Sequence, residues 1–147
     1  MRQMGGLGKI LRLWNVYGED ERVGPKSHVL ADWAHQCAKK GHAQSLTDGR
    51  EERQFVHVND TAAACGLAMR HHAQLDMVSD VSSGAWTTLR EAALALGCPV
   101  HFSKERAAER LRLSPQLNRT LHSVWKPVID LKRGVSGLSA SALPLCR

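Results

Sequence analysis

The way hydrophobic periodicity switches along the chain constrains its fold more than any other feature. KILRLW, residues 9–14, is a compact apolar run with Ile10, Leu11 and Leu13, and it reads as a strand. Gly18, Gly24 and Pro25 then break residues 15–26 into a loop. From about Ser27 to Lys40 the period becomes helical. Val29, Leu30, Trp33, Ala34 and Cys37 share one face, and Lys39, Lys40 and Gly41 supply a cationic last turn and a stop. AQSL, 43–46, is a short strand, TDGREE a turn, and RQFVHV, 53–58, a stronger strand. Asn59 or Asp60 can cap a helix in which Ala62, Cys65, Gly66 and Met69 repeat at helical spacing. MVSDVS, 77–82, is the next strand.

The clearest local signal is TTLREAALALG. Thr88 and Glu91 form a capping box, Leu89, Ala92, Ala93 and Leu96 make the buried stripe, Gly97 stops the helix, and Pro99 prevents its return. A strand at 99–102 and a basic helix near 104–113 follow. Asp130 can cap a last short helix with Leu131, Gly134, Val135 and Leu138 inward, and 139–147 are expected to fray. Strands alternating with helices predict an α/β fold. At 147 residues the chain is long enough for one domain with a real core.

Twenty basic residues against 14 acidic ones leave a net charge of +6, which suits an anionic partner or simply keeps the chain soluble. Nucleic acid is not expected as that partner. The chain has one Tyr and two Phe, and neither an aromatic-rich strand nor a continuous basic stripe. No apolar run reaches the ~18–20 residues of a membrane span, and the N-terminal apolar stretch is too interrupted for a secretory signal. A cytoplasmic protein is expected. Cys37, Cys65, Cys98 and Cys146 form no CxxC pair and read as reduced, mostly buried thiols.

Several chemistries have no motif. The only glycine cluster, Gly5, Gly6 and Gly8, precedes a strand instead of following one, so it is not a dinucleotide turn. There is no Walker lysine motif and no GxSxG. Tyr17 is the only tyrosine and Glu21 lies four residues on, so the chain has no Tyr-x-x-x-Lys pair. His28, Asp32 and His35 fall on one helical face at zinc-like spacing, but that face is opposite the apolar stripe and reads as solvated.

Two residues carry a positive signal. Asn15 stands where strand 9–14 ends, and the C-terminal ends of strands are where open α/β sheets bind ligands. Arg53 opens the strand RQFVHV with a guanidinium suited to two phosphate oxygens. Taken singly, Asn15 also reads as a turn former and Arg53 as an exposed partner of Glu51 or Asp60.

Taken together, these segments resemble the C-terminal half of the nucleotide-sugar epimerases and dehydratases, which are NAD(P)-dependent extended short-chain dehydrogenases. LRLWNVYG is similar to the family's R-x-x-N-V-Y-G-P, and DGREERQFVHVND to its G-x-x-x-R-D-F-V-H-V-x-D. DVSSGAWTTLREAALALG resembles the next strand and helix, and WKPVIDLKRGV resembles a closing W-x-P-x-x-x-L-x-x-G-I. The resemblance spans residues 9–138 and implies that 1–138 form a partial Rossmann-like sheet plus the small α/β substrate-binding subdomain.

It also implies roles. Asn15 and Arg53 would hold the diphosphate of a nucleotide-diphosphate sugar. Gln44 and Leu46 would flank the base, and Val16, Tyr17 and Gly18 would shape the floor near the sugar. Gln54 stands where the family usually has Asp, and Glu19 where it usually has Pro. The family's NAD or NADP is bound through its N-terminal half, so neither is expected to bind this chain alone. The expectation is a substrate-binding portion without turnover of its own, which self-associates or pairs with that half. The alternative is a non-enzymatic sugar-nucleotide-binding or protein-interaction module on the same fold.

Overall fold

The computed structural model describes residues 8–19, 21–103 and 119–141. Strand β1, Ile10–Leu13, runs through Trp14 into strand β2, Asn15–Tyr17. Residues 15–17, expected in a loop, are therefore extended. The chain changes neighbours between the two strands. β1 pairs in parallel with β6, Val78–Val81, in the register Ile10↔Val78, while β2 pairs in parallel with β5, Phe55–His57, as Asn15↔Phe55. β3, Ala43–Ser45, pairs in parallel with β8, Val100–Phe102. The short β4, Glu52–Arg53, runs antiparallel to β7, Thr87–Thr88. The predicted strand 53–58 is thus split at Gln54.

Helix α1, Val29–Lys40, buries Leu30, Trp33 and Ala34 of the expected stripe and also Ala31, leaves Val29 and Cys37 partly buried, and ends on Gly41 at φ 75°. Only a residue without Cβ adopts that left-handed cap at no steric cost. Helix α3, Leu89–Leu96, buries Leu89, Ala92, Ala93 and Leu96 and carries the full Thr88–Glu91 capping box. Helix α2, Val58–Arg70, differs from expectation. His57, not Asn59 or Asp60, is the N-cap, and its Nδ1 accepts the Asn59 N–H at 3.2 Å. Its buried face is Asp60, Thr61, Ala64 and Ala68, and Met69 is 76% exposed. A one-turn helix, α4, Arg119–Val124, was not foreseen. Helix α5, Leu131–Ser141, starts where Asp130 Oδ1 accepts the Arg133 N–H, and it buries Val135 and Leu138 as expected. The predicted basic helix at 104–113 and the end of the predicted tail, 142–147, lie outside the described residues.

Two cores result, and the β2/β5 pair divides them. Successive side chains of a strand face opposite sides. Tyr17 and Phe55 accordingly pack with Leu30, Trp33, Leu89, Leu96 and Val135, whereas Val56 and Val16 pack with Ala64, Val81, Leu121 and Trp125. Burying each large apolar side chain contributes on the order of 1.5–3 kcal/mol before entropy is counted. Two polar devices tie the second core. Arg12 donates to both oxygens of the buried Asp80, at 2.7 and 2.9 Å, across β1 and β6. Asp60, 4% exposed, accepts the backbone N–H groups of Val128 and Ile129, while its carbonyl accepts the Trp125 indole N–H.

Cys37 and Cys98 are joined as a disulfide between Cα atoms 6.3 Å apart, a separation that suits such a bond. The expectation of four reduced thiols fails for this pair. The local sequence could not reveal it, because the partners are 61 positions apart and packing of α1 against α3 brings them together. Cys65 is a half-buried free thiol. Among the described residues, no helix is long and apolar enough to cross a membrane.

Candidate functional site

A cavity of about 290 Å³ opens where β2, β4 and the start of α1 meet, and Asn15, Arg53, Val16, Tyr17, His28 and Phe55 are among its lining residues. Asn15 and Arg53, 38 positions apart in the chain, thus border one space. The Asn15 side chain is held by its neighbour strand. Its Nδ2 donates to the Gln54 carbonyl at 3.2 Å, and the same carbonyl accepts the Asn15 backbone N–H at 3.3 Å. No group among the described residues bonds the second amide hydrogen or Oδ1.

Gln54 is in turn fixed. It is 1% exposed, and its Oε1 accepts from the Ser82 hydroxyl and, at 3.0 Å, from the Gly84 N–H. Gln54 braces the end of β6 with its side-chain oxygen while its backbone positions Asn15.

Arg53 donates one N–H to the Glu52 carbonyl at 2.9 Å. Neither considered partner forms an ion pair with it. Glu51 accepts from the Thr47 hydroxyl, and Asp60 accepts the backbone of Val128 and Ile129. No carboxylate among the described residues pairs with Arg53, so a full positive charge borders the cavity.

A second cavity, of about 350 Å³, shares Val16, Tyr17 and His28 with the first and adds Gly18, Glu21 and Val58. Val16 and Tyr17 border both cavities, and Gly18 borders the second. His28 borders both spaces, with Nδ1 2.8 Å from Glu21 Oε1. The sequence places His28 on a solvated face, and the contact with Glu21 has no local signal. Asp32 is bonded to Gln36, and the described residues hold no cluster of three metal-ligating side chains.

Gln44 and Leu46 do not line either space. Gln44 is exposed on β3 with its backbone carbonyl accepting the Trp33 indole N–H, and Leu46 is 77% exposed.

Tyr17 is buried, and its hydroxyl donates to the Asp130 carbonyl at 3.4 Å. Burial, then the nearby charges of Asp130, Asp60 and Glu19, push the phenol well above its usual range. At neutral pH it is a neutral donor and a packing group, not a base.

The sequence and the fold match known proteins. The model of the NAD dependent epimerase/dehydratase family matches residues 1–82, more than half of the chain. The chain belongs to this family. Over 132 residues it is 27% identical to a putative UDP-glucose 4-epimerase of Methanocaldococcus jannaschii, covering 86% of this chain and 42% of that protein. It is 29% identical over 133 residues to a probable GDP-L-fucose synthase 1 of Oryza sativa subsp. japonica, covering 82% and 40%.

The structural likeness agrees. UDP-glucose 4-epimerase of Thermotoga maritima, crystallised with UDP-glucose, superposes with a TM-score of 0.74 at 23% identity, over 90% of this chain and 45% of that one. The UDP-glucose 4-epimerase of Thermus thermophilus, in complex with NAD, gives 0.70 at 25% identity, over 92% and 46%. The α/β fold is thus a partial Rossmann-like epimerase fold, and the chain spans about four-tenths of the length of the curated relatives it matches.

The family's dinucleotide finds no fitting turn among the described residues. The N-terminus of α2 spends an N–H on His57. That of α3 spends one on Thr88, and at α1 the His28 N–H goes to Glu21. None of these starts is a glycine-rich turn open to a pyrophosphate.

Proposed function

We propose that this chain is the C-terminal, substrate-binding portion of an NAD(P)-dependent nucleotide-sugar epimerase or dehydratase. In this reading the ligand is a nucleotide-diphosphate sugar, its diphosphate against Asn15 and Arg53 and its sugar along Val16, Tyr17 and Gly18. Gln44 and Leu46 offer exposed side chains for the base. The observation that carries the reading is the shared cavity of Asn15 and Arg53, with an arginine charge that no carboxylate among the described residues neutralises. A guanidinium and a carboxamide match a diphosphate's oxygens with charge-assisted and neutral hydrogen bonds respectively.

Oxidation of the sugar and return of the hydride belong to the bound nicotinamide, and the family's Tyr-Lys pair to a part that this chain does not contain. The isolated chain then binds without turning over, whether the whole protein isomerises or eliminates, and it works in the cytoplasm alongside the remaining half.

Calorimetric titration with UDP-glucose and a panel of GDP-sugars checks this. Asn15→Ala and Arg53→Ala should each weaken binding by about tenfold or more, since hydrogen bonds to charged groups are worth about 1.5–3 kcal/mol. Unchanged affinity in both variants overturns the site, and turnover by the purified 147-residue chain with NAD or NADP overturns the division of labour.

A further inference from the structure

We infer that Cys37 and Cys98 form a reversible thiol–disulfide latch that sets how firmly the two helical walls of the cavity are held together. Cys37 lies in α1, four residues before the capping Gly41, and Cys98 follows Gly97, which caps α3. The bond therefore staples the C-terminal ends of α1 and α3. The opposite ends of the same helices wall the cavity. Ser27, His28, Val29 and Leu30 line it from the start of α1, and Leu89 from the start of α3. Between staple and cavity the helices meet through Leu30, Trp33 and Ala34 on one side and Ala92, Ala93 and Leu96 on the other. Both sulfur-bearing residues are only half-buried, so a small thiol or disulfide can reach them.

The chemistry needs no metal. A low-molecular-weight disulfide serves as oxidant. One cysteine thiolate attacks it, expels one small thiol and leaves a mixed disulfide. The second thiolate then attacks the protein sulfur of that bond and expels the second small thiol. Two cysteine S–H groups lose their protons and two electrons, the small disulfide is reduced to two thiols, and excess small thiol reverses the sequence. Closing a loop across 61 positions restricts the unfolded chain as well as bracing the native helices. The inference does not depend on which ligand the cavity takes.

The test equilibrates the 147-residue chain in mixtures of reduced and oxidised glutathione and combines differential alkylation, thermal melting and amide hydrogen exchange. Cys37 and Cys98 should become protected together in one two-electron transition. The oxidised chain should melt about 5 °C or more above the reduced one. Exchange at residues 28–30 and 89–90 should slow on oxidation. Cys37→Ser and Cys98→Ser should each behave as reduced at every ratio, and Cys65→Ser should keep the transition. Labelling of both cysteines at all ratios, pairing of either with Cys65 or Cys146, or oxidation that leaves exchange at the cavity wall unchanged would each overturn the latch.

Discussion

At the residue scale, one carbonyl organises the site. The Gln54 carbonyl accepts the backbone N–H and one side-chain N–H of Asn15, and the Gln54 side chain is locked by Ser82 and Gly84, so the chain around β2, β4 and β6 converges beside Asn15. From sequence, Asn15 taken singly also reads as a turn former, and it becomes a site candidate only with the family resemblance. Its holder has no local signal, because the contact spans 39 positions. Tyr17 gives a sharper test, since it is the only tyrosine in the chain. Its phenol is raised in the folded state, so the unfolded chain loses that proton first as pH climbs past the usual value near 10. The contribution to stability is therefore intact below that pH and falls above it. Tyrosinate absorbance should appear only with unfolding, and Tyr17→Phe should flatten the alkaline limb of stability measured by urea titration. An early, unfolding-independent tyrosinate signal would contradict the buried geometry.

At the element scale, the sequence was most readable where local chemistry closes on itself. Thr88 and Glu91 satisfy each other within one turn, and the stripe Leu89, Ala92, Ala93, Leu96 meets the core in full. The hydrogen bonds from Thr88 hold the Glu91 carboxyl below its usual range, so that part of the stability exists above the ordinary Glu value and disappears as pH falls through the lowered one. Thr88→Ala should cost about 1 kcal/mol near neutral pH. The deficit should narrow in acid, as read by parallel urea titrations. Helix α2 was misread because alanines at 62, 63, 64 and 68 give both faces nearly equal hydrophobic weight. Its orientation is decided by Asp60, whose carboxylate is claimed by the backbone at Val128 and Ile129. Helix α4 has no local signal because six residues are too few for a period, and its Leu121 is buried in a cluster built mostly from distant residues such as Val56, Ala64 and Val81.

At the scale of the whole molecule, the first core is closed and the edge beside the second is not. β1 and β6 form a two-stranded parallel sheet, and β1 has no second neighbour among the described residues. Ile10 and Leu13 are 48% and 51% exposed along it. A parallel pair with a bare apolar edge is a template for another strand. The isolated chain should self-associate with rising concentration in sedimentation velocity runs, and Ile10→Lys combined with Leu13→Lys should reduce that association. Co-expression with the remaining half of a family member should replace self-association with a one-to-one complex. A monomer at all concentrations with an unaltered melt would show that the edge is self-sufficient.

Periodicity, caps and breakers along 147 residues were enough to determine an α/β order of elements and the stripes of α1, α3 and α5. These depend on interactions within a few positions. Only the tertiary structure decided that residues 15–17 extend into a second strand pair, that Gln54 holds Asn15, that Cys37 meets Cys98, and that Arg53 goes unneutralised among the described residues. Each of those is settled by which distant backbone or side chain arrives at the same place, and no local pattern encodes that arrival.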